Sequence, residues 1–154
     1  MFLILKIKNG RTISCIPAFI GYTKDAKDSD GSSLTDVPKR IRSMVEFEQF
    51  FGGMSSPVDV YDDIVTPFKP RIILDQANNY VIDSIKLEMK YMLYHSMVMY
   101  FANGGGPCYI VSIGDYDYDR AKATVKSDIE GGIAAIEPED EPTILLAPDA
   151  VVLD

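Results

Sequence analysis

Three aspartates at alternating positions, Asp115, Asp117 and Asp119, are the residues of this chain best spaced for chemistry. They interleave with Tyr116 and Tyr118 just after an apolar run, Cys108-Tyr109-Ile110-Val111, that reads as a buried strand. Ligands of α/β folds often sit beyond the carboxyl ends of such strands. Carboxylates so placed can hold a hard cation such as Mg²⁺ or Ca²⁺. The same alternation also fits a solvated edge with its tyrosines turned inward. That second reading is preferred, and a metal- or ligand-binding site or an enzyme centred on Asp115–Asp119 stands as the alternative.

Other candidate sites fall away on their own chemistry. Gly104-Gly105-Gly106 has the composition of a phosphate loop, but such loops follow a strand and lead into a helix. Here an apolar helix precedes the glycines and a strand follows, so the helix dipole has the wrong sign. The run reads as helix termination, with Asn103 or a glycine supplying the left-handed residue. Asp28 and Asp30 before Gly31 resemble part of a calcium loop, yet the first and twelfth positions would be Ala26 and Val37, which carry no carboxylate. His95, the only histidine, lies in an apolar stretch with no nucleophile motif, and reads as a core or interface residue. The acidic run Glu137, Glu139, Asp140, Glu141 reads as a solvated loop. No catalytic, cofactor-binding or metal-ligating residue is assigned, and no cofactor is expected.

The chain has 154 residues, enough for one domain with a real core. Its 47% hydrophobic and 25% charged content is that of a globular protein. A net charge of −8 disfavours nucleic acid as a partner, because phosphate contacts need clustered Lys and Arg. Cys15 and Cys108 sit among apolar neighbours and read as buried free thiols. The opening MFLILKIKNG is too short for a secretory signal, and no apolar run spans a bilayer, so a soluble cytoplasmic protein without a membrane partner is expected.

The elements that would position these residues follow from local signals. Phe2–Ile7 and Ser14–Thr23 read as strands of an N-terminal hairpin turning at Asn9-Gly10. Within the second, Pro17 must sit where no ladder donor is needed. Ser43 to Glu46 is a capping box opening a short helix that buries Phe47, Phe50 and Phe51 and stops at Gly52-Gly53. Arg71–Asp75 and Asn79–Asp83 read as short strands. A long helix over 85–102, capped by Asp83 or Ser84, is apolar nearly all round from Tyr91 onward, which predicts cover on most sides. A second capping box, Ser127 to Glu130, opens a helix ending near Ile136, whose Gly131-Gly132 predicts close approach of another backbone. Thr143–Ala147 is a final buried strand. Alternating strands and helices predict a single α/β domain, a partly parallel mixed sheet flanked by helices with an N-terminal β-hairpin.

Three blocks in order carry a resemblance. The first is Ile16-Pro17-Ala18-Phe19-Ile20-Gly21-Tyr22-Thr23, followed by the helix 46–53. The second is Tyr100 to Val111, read YFANGGGPCYIV. The third is Gly131 to Ile136, then Asp140 to Ala150, read DEPTILLAPDA. In sequence, order and spacing they resemble the sheath proteins of contractile phage tails and related contractile injection systems, over roughly residues 16–154.

That resemblance implies a structural protein and no enzyme. Sheath subunits stack as rings around an inner tube, held to neighbouring copies by exchanged β-strands. The implied partners are other sheath subunits and an inner tube protein. The implied location is the bacterial cytoplasm during assembly, then a virion tail, a prophage-derived tail or an injection apparatus. Against the family pattern, 1–14 reads as an ordinary hairpin strand rather than an arm, and the match ends early. The chain thus resembles the N-terminal part of a sheath subunit, as a truncated chain, a degenerate gene product or a short paralogue. Such a chain is expected not to build a contractile sheath alone, and to leave apolar surface or a strand edge near Val151-Val152-Leu153.

Overall fold

A computed structural model describes residues 3–5, 16–54, 71–74, 80–84, 91–116 and 126–152. The chain divides into two compact units, one formed by Met1–Ser55 with Lys90–Asp154 and the other by Ser56–Met89.

The first unit is an α/β fold. Its strands are β1 (Leu3–Leu5), β2 (Ile16–Thr23) and β3 (Lys39–Ile41), followed by helix α1 (Met44–Phe51). In the second unit, β4 (Arg71–Leu74) and β5 (Tyr80–Ser84) pair antiparallel as a two-stranded sheet of their own. The first unit resumes with α2 (Leu93–Ala102), β6 (Cys108–Asp115), α3 (Lys126–Ile136), β7 (Pro142–Leu146) and a 3-10 turn over Pro148–Val152.

These strands form a five-stranded mixed sheet in the order β1-β7-β2-β6-β3. β2 lies parallel to both β6 and β7, while β1 and β3 close the two sides antiparallel. Among the described residues the expected N-terminal hairpin pairing is absent: β1 pairs with β7, Leu3 opposite Leu146, and not with β2. β2 has both flanks taken by longer apolar strands, so no side of it is left for β1. Pro17 sits at the register shift in the β2–β7 ladder, where a missing donor costs least.

Even in all-apolar strands the side chains alternate between two cores. Ala18, Ile20 and Tyr22 of β2 join Tyr109, Val111 and Ile113 of β6 beneath Ile129 and Ile136 of α3. Phe19, Cys108 and Ile110 face the other way, against Phe47 and Phe51 of α1 and Leu93 and Met97 of α2. The helix pair Gly131-Gly132 is explained at one position only: a β-carbon on Gly132 would stand 2.6 Å from Ile20 and Ile113 methyls. The close approach is therefore to sheet side chains, not to another backbone.

Each of the three N-cap assignments needs correction, the first in part. Ser43 caps α1 as expected, its Oγ accepting from the Glu46 amide at 3.2 Å, but the Glu46 carboxylate accepts from Arg42 N rather than from Ser43. Gly52 stops α1 at φ 74°. Ser127 lies inside α3, which already begins at Lys126. Asp83 and Ser84 belong to β5, and α2 begins at Leu93 with no capping side chain from its own N-cap residue, Met92. Cys108 is a buried free thiol, and burial pushes it up to about 12; Cys15 lies outside the described residues. Among the described residues no helix is long and apolar enough to cross a membrane.

Candidate functional site

The head of α2 is held by a residue far away in sequence. Asp149, wholly buried in the 3-10 turn, accepts backbone N–H bonds from Met92 (2.5 Å) and Leu93 (3.2 Å) through Oδ1. Its Oδ2 accepts from Tyr22 N on β2 at 2.8 Å. One carboxylate thus supplies the cap that α2 lacks locally, with the charge sign favoured by a helix N-terminus. Burial pushes the Asp149 carboxyl up to about 6, against the lowering pull of the three amides. It fits only because residue 21 is glycine: a β-carbon there would stand 2.5 Å from Oδ2 and 3.0 Å from Leu93 Cβ.

The tail of α2 closes in the manner read from the glycine run. Gly104 takes φ 82°, Gly104 N donates to Phe101 O at 3.1 Å, and Gly105 N donates to Tyr100 O at 2.9 Å. This is the paired bonding of a Schellman motif, with Gly104 as its left-handed residue. Asn103 adds a side-chain bond from Nδ2 to Met99 O at 2.7 Å. The chain is thereby turned straight into β6.

Between the ends of α2 runs a groove of about 620 Å³. Phe19 and Tyr100 meet on its floor with ring centroids 5.2 Å apart, edge to face. Met99 and Leu146 flank it, and Val151 of the 3-10 turn forms its rim. Met99 is 63% exposed and Val151 60%, and both line the same apolar groove, so they form part of one patch rather than scattered surface residues. Burial raises the Tyr100 hydroxyl above its ordinary range. The cover predicted around α2 is incomplete, since Leu93 and Met97 are its only buried helical residues while Val98 and Met99 stand exposed. The apolar surface expected near Val151 is present at Val151 itself, and among the described residues no strand edge accompanies it, since β7 ends at Leu146 and lies between β1 and β2; Leu153 lies outside the described residues.

The residues singled out for chemistry do not converge on this groove. Asp115 is exposed at the end of β6, and Tyr116 turns inward, 6% exposed and stacked on Tyr91 at 4.7 Å between centroids. Asp117, Tyr118 and Asp119 lie outside the described residues. His95 is half-buried on α2 with its ring edge-on to Tyr94. Asp28 and Asp30 are tied into local bonds, Asp28 to Lys39 Nζ at 2.7 Å and Asp30 to Ser32 N at 2.9 Å, and those bonds hold both carboxyls below their ordinary range. Within the acidic run, Glu141 accepts from Tyr109 Oη at 3.0 Å and pairs with Arg40 at 3.1 Å. Among the described residues no group of three or more His, Cys, Asp or Glu is placed to hold a metal ion.

Asp149 and Met99, on which the arrangement turns, carry little signal in the sequence. Capping is legible over a few residues, whereas Asp149 reaches Tyr22 across 127 positions. The missing local cap ahead of Leu93 is the one clue that a remote acceptor is needed. Compared with known proteins, the chain matches no family model and no curated protein.

Proposed function

We propose that this chain is a structural subunit of the contractile-sheath type, acting by assembly with neighbouring copies and around an inner tube protein. One observation carries the reading: the groove beside α2 is built from a stretch of each of the three blocks that resemble the sheath family. Phe19 comes from the first, Tyr100 and Gly105 from the second, and Leu146 to Pro148 from the third. Segments this far apart in sequence converge on one apolar surface, and exposed apolar surface is the physical mark of a protein contact. Methionine suits such a contact, because its flexible thioether adapts to the partner's shape. A neighbouring copy is the occupant we assign to the groove. In this reading the chain is made in the bacterial cytoplasm and ends in a virion tail or injection apparatus.

Immunogold electron microscopy of tail-like particles from the source cells tests the assignment. Label distributed along the outer layer of the tail is the expected outcome. Particles that carry no label, from cells in which the chain is abundant, would contradict it.

A further inference from the structure

A second surface lies at the outer edge of β3, beside α1. In a chain of net charge −8, Lys39, Arg40 and Arg42 there line a concave pocket of about 310 Å³ with Glu46, Gln49 and Phe50. β3 ends the sheet order, so β6 pairs with one side of it and no described strand pairs with the other. We propose that this edge docks a carboxylate-rich segment of a partner polypeptide, with Arg42 as the anchor.

Arg42 is exposed, and its guanidinium has no ion-pair or hydrogen-bond partner among the described residues. Its backbone, however, is fixed: Glu46 Oε2 accepts from Arg42 N at 2.8 Å beside the Ser43 cap of α1. That bond also occupies the one carboxylate in the pocket. The planar guanidinium fork is matched to a carboxylate in two-point contact, and a fixed base lowers the entropy lost on binding.

The other two cations can follow. Lys39 stands 4.5 Å above the Phe50 ring and pairs with Asp28, and Arg40 pairs with Glu141. Both pairs are partly exposed, so exchanging their carboxylates for those of a partner costs little. Lysine and arginine on a short edge strand also discourage edge-to-edge pairing. That role alone asks for charges pointing into open solvent, not for three of them walling a pocket over an aromatic ring. Nucleic acid fits less well, because its backbone needs a long basic track, and the three cations here surround a single pocket.

This inference is independent of the sheath-type reading, since the pocket alone sets the partner's charge. The test is fluorescence anisotropy of the whole chain with three labelled probes: a peptide alternating Glu and Val, one alternating Lys and Val, and mixed-sequence duplex DNA. The Glu peptide should bind, more weakly as salt rises, and Arg42→Glu should weaken it about tenfold or more. Arg42→Glu should leave the melting temperature close to that of the parent, since the side chain touches no described partner. Val98→Ser, at an exposed position on α2 outside the pocket, should bind as the parent does. Failure of the Glu peptide to bind, equal binding by Arg42→Glu, tighter binding of DNA, or full displacement by millimolar inorganic phosphate would each overturn the proposal. None of these outcomes bears on self-association through the groove.

Discussion

Gly21 and Asp149 are fitted to each other. The bare α-carbon of Gly21 leaves the space in which Asp149 Oδ2 sits, 2.5 Å from where a β-carbon would be. Through that contact the 3-10 turn after β7 is locked to the middle of the sheet and to the head of α2. Gly21→Ala must therefore displace the carboxylate or Leu93. Overpacking of this kind costs about 1–3 kcal/mol, and urea denaturation of the variant should show a loss of that size. An unchanged midpoint would mean that the turn moves aside freely.

Asp149 itself should make stability depend on pH. Its carboxyl is raised from 3.8 to about 6 in the folded state, so the folded chain binds a proton that the unfolded chain releases between those values. Its contribution is thus fully present below 3.8 and is lost as pH rises through 6, by about 3 kcal/mol in all. Asp28 and Asp30 work in the opposite sense and at lower pH, their contribution disappearing as pH falls below 3.8. Denaturation at pH 4.5 and pH 7 should show the parent more stable at the lower value, and Asp149→Asn should flatten the difference. Equal slopes in the two proteins would remove Asp149 as the cause. Asp149→Ala should be the more damaging change, because it strands three amides, two of them buried.

The three glycines after α2 should respond unequally. Gly104→Ala forces a β-carbon into φ 82° and should cost about 1 kcal/mol. Gly105→Ala would place a β-carbon 2.5 Å from the Tyr100 ring, disturbing its contact with Phe19 on the groove floor. Gly106→Ala meets nothing within 4 Å and should be neutral. Thermal melts of the three variants check the order. Equal losses at all three would show the run to be something other than a helix stop.

What the sequence reveals of this fold depends on how local each cause is. β2 and β6 are legible because strands covered on both faces are apolar on both faces, and α1 because Ser43 and Glu46 lie within one turn. The Gly104 stop is legible for the same reason. The pairing of β1 is not, since Asn9-Gly10 speaks only for a local turn while β7, which β1 joins, lies at the far end of the chain. β3 escapes notice because three residues, two of them cations, give no period to read. The groove is misread for a subtler reason. An all-apolar helix from Tyr91 implies burial somewhere, and composition alone cannot tell cover by the same chain from cover by another.

That distinction is what the central claim turns on, and sedimentation velocity over a range of concentrations measures it. The parent chain should sediment increasingly as oligomers, while Met99→Glu combined with Val151→Glu, which alters only exposed groove positions, should remain monomeric with an unchanged circular dichroism spectrum. A parent chain that stays monomeric at every concentration, or a double variant that associates equally well, would contradict assembly through the groove.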